Sequence, residues 1–257
     1  MNTTTKEDML LRRRLSDLAH MAWSRNCPVF TSFLGLNEQN IYHSCKAEFS
    51  FIRSFLYGGY EEAERQMVGF LPDAFCYAQN HDIFPISCVR IDSMGKGFTQ
   101  APGHRDYLGA LMNLGIDRST TGDILLRDDC ALLMCEEKMA SYIIENLVRV
   151  RNMPVSCSAA DIQSVSYHPK TQQITGSIAS VRIDSLIALA FKVSRGAANE
   201  LLDSGKVFIN GKLADGNGTH IRENDLISVR GSGRFRFSGI VSETKKGRVF
   251  VAIEKYI

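Results

Sequence analysis

Two short stretches near the end of the chain hold the residues whose types and spacing bear chemistry. Arg195 follows Ser194, a hydroxyl of the kind that caps a helix, and Asn199 stands four residues on, so in a helix the two share a face. A guanidinium in a first helical turn opposes the helix dipole at a cost of about 0.3–1 kcal/mol. A phosphate arriving there reverses the sign, because the guanidinium and the free N–H groups of the helix start meet one anion. The alternative is an exposed arginine ion-paired with a nearby Asp or Glu. Further on, Arg234-Phe-Arg-Phe-Ser238 alternates strictly, which in a strand sends Arg234 and Arg236 to one face and Phe235 and Phe237 to the other. One face is then core and the other basic.

The charge distribution agrees with these stretches. The formal net charge is +2, yet from Val181 onward 13 Lys and Arg stand against 8 Asp and Glu, while residues 1–180 carry 17 against 20. A basic segment on a slightly acidic chain is the footprint of a polyanion-binding module, since neutralising phosphates releases condensed counterions. An excess of this size is also compatible with an ordinary solvated surface.

The elements that must position these residues are legible in order. Ile183, Leu186, Ile187, Ala190 and Phe191 recur at helical spacing, and Ala197, Ala198, Leu201 and Leu202 form the buried stripe of a second helix ended by Gly205. Lys206-Val-Phe-Ile-Asn-Gly-Lys212 is an apolar run closed by the Asn-Gly of a type I′ turn. Asp225 precedes a strand at 226–229, Gly231-Ser-Gly233 turns into the Arg-Phe strand, and a charged turn at 244–248 leads into a last strand at 249–253. The module is read as a helix pair packed on a small, bent antiparallel sheet.

Between 82 and 158 the order is strand, helix, strand, strand, helix, strand, which suggests a ferredoxin-like βαββαβ sandwich. Many RNA-recognition domains share that topology, but their third strand carries aromatics for base stacking. Here it reads Cys130-Ala-Leu-Leu-Met-Cys135, so no stacking platform is expected in this unit. The helix after Gly103 should bury Leu108, Leu111 and Met112. His104 and Asp106 could suggest a base pair for catalysis, but residues two apart on a helix point in different directions and no nucleophile motif accompanies them. The front of the chain opens with an amphipathic helix through Leu11, Leu15, Leu18 and Ala22 to Trp23. Arg12, Arg13 and Arg14 on it are either an RNA contact or simply its wet face.

Seven cysteines without a Cys-x-x-Cys pair, and six scattered histidines, fit reduced thiols in a reducing compartment and leave a metal site only to distant ligands. No metal, cofactor or catalytic residue is expected. The arginine triplet interrupts the first apolar segment, so neither a signal-peptide core nor a span of about 20 apolar residues is present and a cytoplasmic protein is expected.

Arg182-Ile-Asp184, Ser194-Arg195, Gly205-Lys-Val-Phe-Ile-Asn-Gly211, then Asn224-Asp225 before a strand ending in Arg230-Gly231, resemble the S-four domain, the RNA-binding domain named after the fourth protein of the small ribosomal subunit. The resemblance implies RNA contacts at Arg182, Lys192, Ser194, Arg195, Asn199, Lys206, Asn210 and Lys212, to which the alternation adds Arg234 and Arg236. Asn224 stands where that family more often has Gly, a tolerable change because Asn accepts positive φ. Together with Tyr57-Gly-Gly-Tyr-Glu-Glu-Ala-Glu-Arg65 and the helix and turn at 105–123, the whole chain resembles the bacterial YlmH-type proteins. That resemblance implies a non-enzymatic protein that binds structured rRNA or tRNA on the large ribosomal subunit with peptidyl-tRNA, in rescue of stalled translation, with a link to cell division.

The expected class is therefore α+β: an N-terminal α/β unit (1–80), a central ferredoxin-like (RRM-like) unit (81–165) and a C-terminal S-four unit (181–257). Two other functions are weighed beside it. One is a protein-interaction scaffold for the division machinery. The other is an RNA-modifying accessory factor, since S-four domains are appended to pseudouridine synthases and tyrosyl-tRNA synthetases; neither a nucleotide-binding Gly-rich loop nor a synthase signature accompanies it here.

Overall fold

Leu15, Ala19 and Ala22 make a fully buried stripe along α1 (Lys6–Arg25), the first element of a computed structural model that describes residues 6–75, 81–94, 102–165, 170–243 and 248–257. The chain divides into two units, Met1–Tyr167 and His168–Ile257. In the first, α1 and α2 (Leu36–Cys45) cover a three-stranded sheet. It is formed by β1 (Val29–Phe30), β2 (Arg53–Tyr57) and β3 (Met67–Leu71) in the order β1-β3-β2. Val68 and Phe70 of β3 join the helices' core with Tyr42 and Phe49. Trp23, at the end of the apolar stripe, is instead 63% exposed, and Arg12 is taken up in a surface ion pair with Glu48.

The central elements follow as β4 (Ile86–Ser93), α3 (His104–Asn113), β5 (Thr121–Leu126), β6 (Cys130–Glu136), α4 (Glu137–Asn146), β7 (Arg149–Val150) and β8 (Met153–Ala160). Their sheet runs β5-β6-β4-β8-β7 with antiparallel neighbours, the ferredoxin-like order with one short strand added at the edge. The second helix ends at Asn146, and the chain from Arg149 turns back as a hairpin rather than continuing it. In α3, Tyr107 and Leu111 are buried and Leu108 is partly so, while Met112 is exposed, because the stripe lies one position to the N-terminal side of the expected one.

Every residue of β6 is buried. Ala131, Leu133 and Cys135 pack with Leu111 of α3 and Ile143 of α4; Cys130, Leu132 and Met134 pack with Phe33, Tyr60 and Met67 of the front part. A strand covered on both faces needs a continuous apolar run, and this is what the sequence supplies. The face on which an RNA-recognition sheet would stack bases is thus occupied by the protein's own front segment, which shares a core with the central sheet.

In the second unit, β9 (Thr171–Ile178) comes before α5 (Ile183–Phe191) and α6 (Arg195–Asp203). They are followed by β10 (Val207–Ile209), β11 (Lys212–Leu213), β12 (Leu226–Val229), β13 (Gly233–Glu243) and β14 (Val249–Tyr256). The sheet order is β11-β10-β12-β13-β14-β9, antiparallel throughout. It therefore takes in residues ahead of Val181: β9 pairs along the length of β14. Two register shifts in β13 bend it. Ile183, Leu186, Ile187 and Ala190 of α5, with Ala198 and Leu202 of α6, pack on Val207, Ile227, Val229, Phe235, Phe237, Val251 and Ile253. The turn expected at 244–248 lies outside the described residues except for Arg248.

Candidate nucleic-acid interface

The starts of α5 and α6 are joined by one carboxylate. Arg182 is the N-cap of α5 and Asp184 lies in its first turn, where the carboxylate is 1% exposed. It accepts from Arg182 Nε at 3.0 Å and, from the first turn of α6, from Arg195 Nη2 at 2.7 Å and Nε at 3.2 Å. Burial pushes the Asp184 carboxyl up, but the hydrogen bonds from Arg195 and Arg182 outweigh it and hold it below the ordinary carboxylate range. The ion-paired alternative for Arg195 is what the fold adopts, and it does not hide the cation. The side chains of Arg182 and Arg195 remain 45% and 55% exposed. Asp184 uses only part of each guanidinium's donor fork, and the cluster of two cations and one anion stays positive.

Ser194 caps α6, its Oγ accepting from Ala197 N at 3.1 Å. Asn199 follows Arg195 by one turn; its Oδ1 is buried with no partner among the described residues. Lys192 closes α5 in the left-handed region (φ 55°) and is exposed, as is Lys206. Asn210 and Gly211 both have positive φ, 48° and 79°, and Ile209 faces Lys212 across them, the geometry of a type I′ hairpin. The Asn210 side chain is spent inside the module, donating to Asp225 Oδ1 at 2.8 Å and accepting from Leu226 N at 2.8 Å. Asn224 has φ 70°, as its place in the motif requires. Cations thus come from Arg182, Lys192, Arg195, Lys206 and Lys212, while Ser194 and Asn210 fix the backbone that carries them.

Arg234 and Arg236 leave the core face of β13 to Phe235 and Phe237, which are 0% and 3% exposed. They meet partners that sequence reasoning did not single out. Arg234 lies over the Tyr256 ring with its Cζ 4.7 Å from the centroid, and Arg236 Nη2 donates to the Tyr256 hydroxyl at 3.1 Å. On the same face, Arg230 lies 4.5 Å over the Phe208 ring. The signal available in sequence was the alternation of 249–256, which puts Tyr256 out of phase with the buried Val251 and Ile253.

The two motifs of the first unit meet each other. Asp123 accepts from the Tyr60 hydroxyl at 2.7 Å and from the backbone N–H groups of Glu64 and Arg65 at 2.6 and 3.1 Å. Arg65 in turn donates to the carbonyls of Phe33, Thr121 and Arg118. Their closeness is structural: it ties the front segment to the central sheet. Asp106 accepts from Gly103 N at 2.8 Å and closes the start of α3. Burial pushes the Cys135 thiol up to about 12 and those of Cys88 and Cys157 to about 11. Among the described residues no cluster of His, Cys, Asp and Glu could hold a metal, and no helix is long and apolar enough to cross a membrane.

Comparison with known proteins identifies the domains that carry these residues. The family model of the RNA-binding domain in YlmH matches residues 80–164, and that of the S4 domain, the S-four module above, matches residues 181–227. The chain is 27% identical over 226 residues to the ribosome-associated protein quality control protein P2 of Bacillus subtilis (strain 168), covering 88% of this chain and 86% of that one. The solved structure of the cell division protein ylmH from Streptococcus pneumoniae matches with a TM-score of 0.50 at 19% identity, over 63% of this chain and 96% of that chain, a likeness of fold. With a match to the RNA-binding domain of YlmH ahead of a match to the S4 domain, the chain is similar to the YlmH-type RNA-binding proteins.

Proposed function

We propose that this protein is a non-enzymatic, cytoplasmic factor that grips structured rRNA or tRNA on the large ribosomal subunit, beside peptidyl-tRNA, during rescue of stalled translation. The observation that carries the reading is the clamp at the starts of α5 and α6: a buried Asp184 holds two half-exposed guanidiniums in place. Guanidiniums fixed in this way lose less freedom on meeting phosphates than free side chains would. Lys192, Lys206 and Lys212, with Asn199, Arg234 and Arg236, are assigned to the same grip as further RNA contacts. The similarity to a ribosome-associated quality control protein supports the ribosomal setting.

Co-sedimentation with purified ribosomal subunits tests it. Wild-type protein should pellet with the large subunit, less so as salt rises, and Lys192→Gln/Lys206→Gln/Lys212→Gln should remain in the supernatant. Absence of wild-type protein from the large-subunit pellet would refute the ribosomal assignment. The division-machinery partners that the resemblance implies are a separate matter, with their own test: capture that survives ribonuclease.

A further inference from the structure

The helix pair covers one face of the C-terminal sheet; the other face carries aromatic rings with arginine guanidiniums over them. On it Phe208 stands opposite Ser228 and Ser228 opposite Arg234, whose guanidinium lies over Tyr256. Arg230 covers Phe208, and Arg236 holds the Tyr256 hydroxyl. Phe208, Arg234, Arg236 and Tyr256 are partly exposed and Arg230 is exposed. We propose that this face is a second RNA contact that takes unpaired nucleobases by stacking; the proposal rests on the RNA-binding reading above and adds a distinct surface and a distinct RNA chemistry to it.

Stacking, rather than charge, is what the arrangement favours. Glu254 stands across the ladder from Arg236, and Glu223 lies over Gly239, so the three arginines exceed the neighbouring carboxylates by little. A guanidinium seated over a ring at 4.5 to 4.7 Å leaves its other side toward solvent, and bases stack on guanidinium planes as they do on aromatic rings. Phe208 on β10 and Tyr256 on β14 are three strand steps apart in the sheet order, roughly 14 Å at the usual strand spacing. Each Arg-aromatic pair can therefore receive its own base. In the central sheet, by contrast, both faces of β6 are buried.

The test is fluorescence anisotropy of the full chain with a labelled oligouridine and, separately, a blunt RNA duplex. Arg230→Lys/Phe208→Leu and Arg234→Lys/Tyr256→Leu keep charge and apolar volume but remove the planes. Each should weaken oligouridine binding about tenfold; Arg230→Lys/Phe208→Leu, which touches none of the residues assigned to the structured-RNA grip, should leave duplex affinity near wild type, and Arg234→Lys/Tyr256→Leu should lower duplex affinity by far less than it lowers oligouridine affinity. Should either double variant unfold, as read by circular dichroism, Arg234→Lys alone retains the ring and must still weaken oligouridine binding. Unchanged oligouridine binding by folded variants overturns the proposal, as does wild-type protein that binds the duplex and not oligouridine. If wild-type protein binds neither RNA, the RNA-binding reading itself has failed, and this proposal with it.

Discussion

Asp184 and Arg195 meet at 2.7 Å across the turn between two helices, and the carboxylate is buried while the guanidinium is not. The asymmetry decides what substitution does. Removing Asp184 leaves two arginines that water can solvate; removing Arg182 and Arg195 leaves a buried carboxylate alone, the costly half of a broken ion pair. Arg182→Ala/Arg195→Ala should therefore lower stability to urea by about 3 kcal/mol, and adding Asp184→Asn should recover most of it. A double variant as stable as wild type would show that the clamp is not structural. Any RNA-binding assay of the arginines must consequently use the triple Arg182→Gln/Asp184→Asn/Arg195→Gln, which removes the buried carboxylate's charge together with both cations.

The same carboxylate has a pH signature. Its folded-state pKa is depressed, so its contribution to stability is present above the ordinary carboxylate value and is lost as pH falls through the lower, folded value. Asp184→Asn should flatten that acid limb of the stability profile. An unchanged profile would mean that the carboxylate does not titrate between the two states.

Asn210 separates shape from contact. Asn210→Ala puts a residue that disfavours positive φ into the turn and removes the acceptor of Leu226 N, a loss of about 2 kcal/mol in urea unfolding. RNA affinity of the folded variant should stay close to wild type, because the side chain is already spent inside the module. A large affinity loss with unchanged stability would make Asn210 a direct contact.

Asp123 holds the first unit together. Asp123→Ala removes the carboxylate that accepts from the Tyr60 hydroxyl and from the Glu64 and Arg65 N–H groups, which should cost on the order of 3 kcal/mol. Burial raises the folded-state pKa of this carboxyl, so its charged form opposes folding, and that penalty eases as pH falls from the raised value toward the ordinary one. Thermal unfolding of wild type and variant against pH reads both effects. A variant as stable as wild type would refute the tie.

What was legible in the sequence was local. The stripes of α5 and α6, the Ser194 cap, the Asn210-Gly211 turn and the alternation of Arg234 to Phe237 each depend on residues a few positions apart. The order of the central strands followed from their spacing. What escaped depends on long-range register. Tyr256 reaches Arg234 only once β13 and β14 are paired through two bulges, and β9 is an edge strand whose polar, weakly alternating residues give little signal until β14 pairs with it. Asp184 was visible as part of a motif, but its choice of Arg195 required the helix turn to be known. The Tyr60 and Asp123 motifs stood out separately, and only the fold shows that one binds the other.

The most direct test of the RNA grip is the affinity for a structured RNA measured between about 50 and 200 mM salt. Wild-type affinity should fall steeply with salt, and Lys192→Gln/Lys206→Gln/Lys212→Gln should both weaken binding and flatten the log–log slope by about one for each phosphate that is no longer neutralised. A salt-independent affinity, or a slope that the triple substitution leaves unchanged, would contradict the assignment of this edge as the RNA-binding surface.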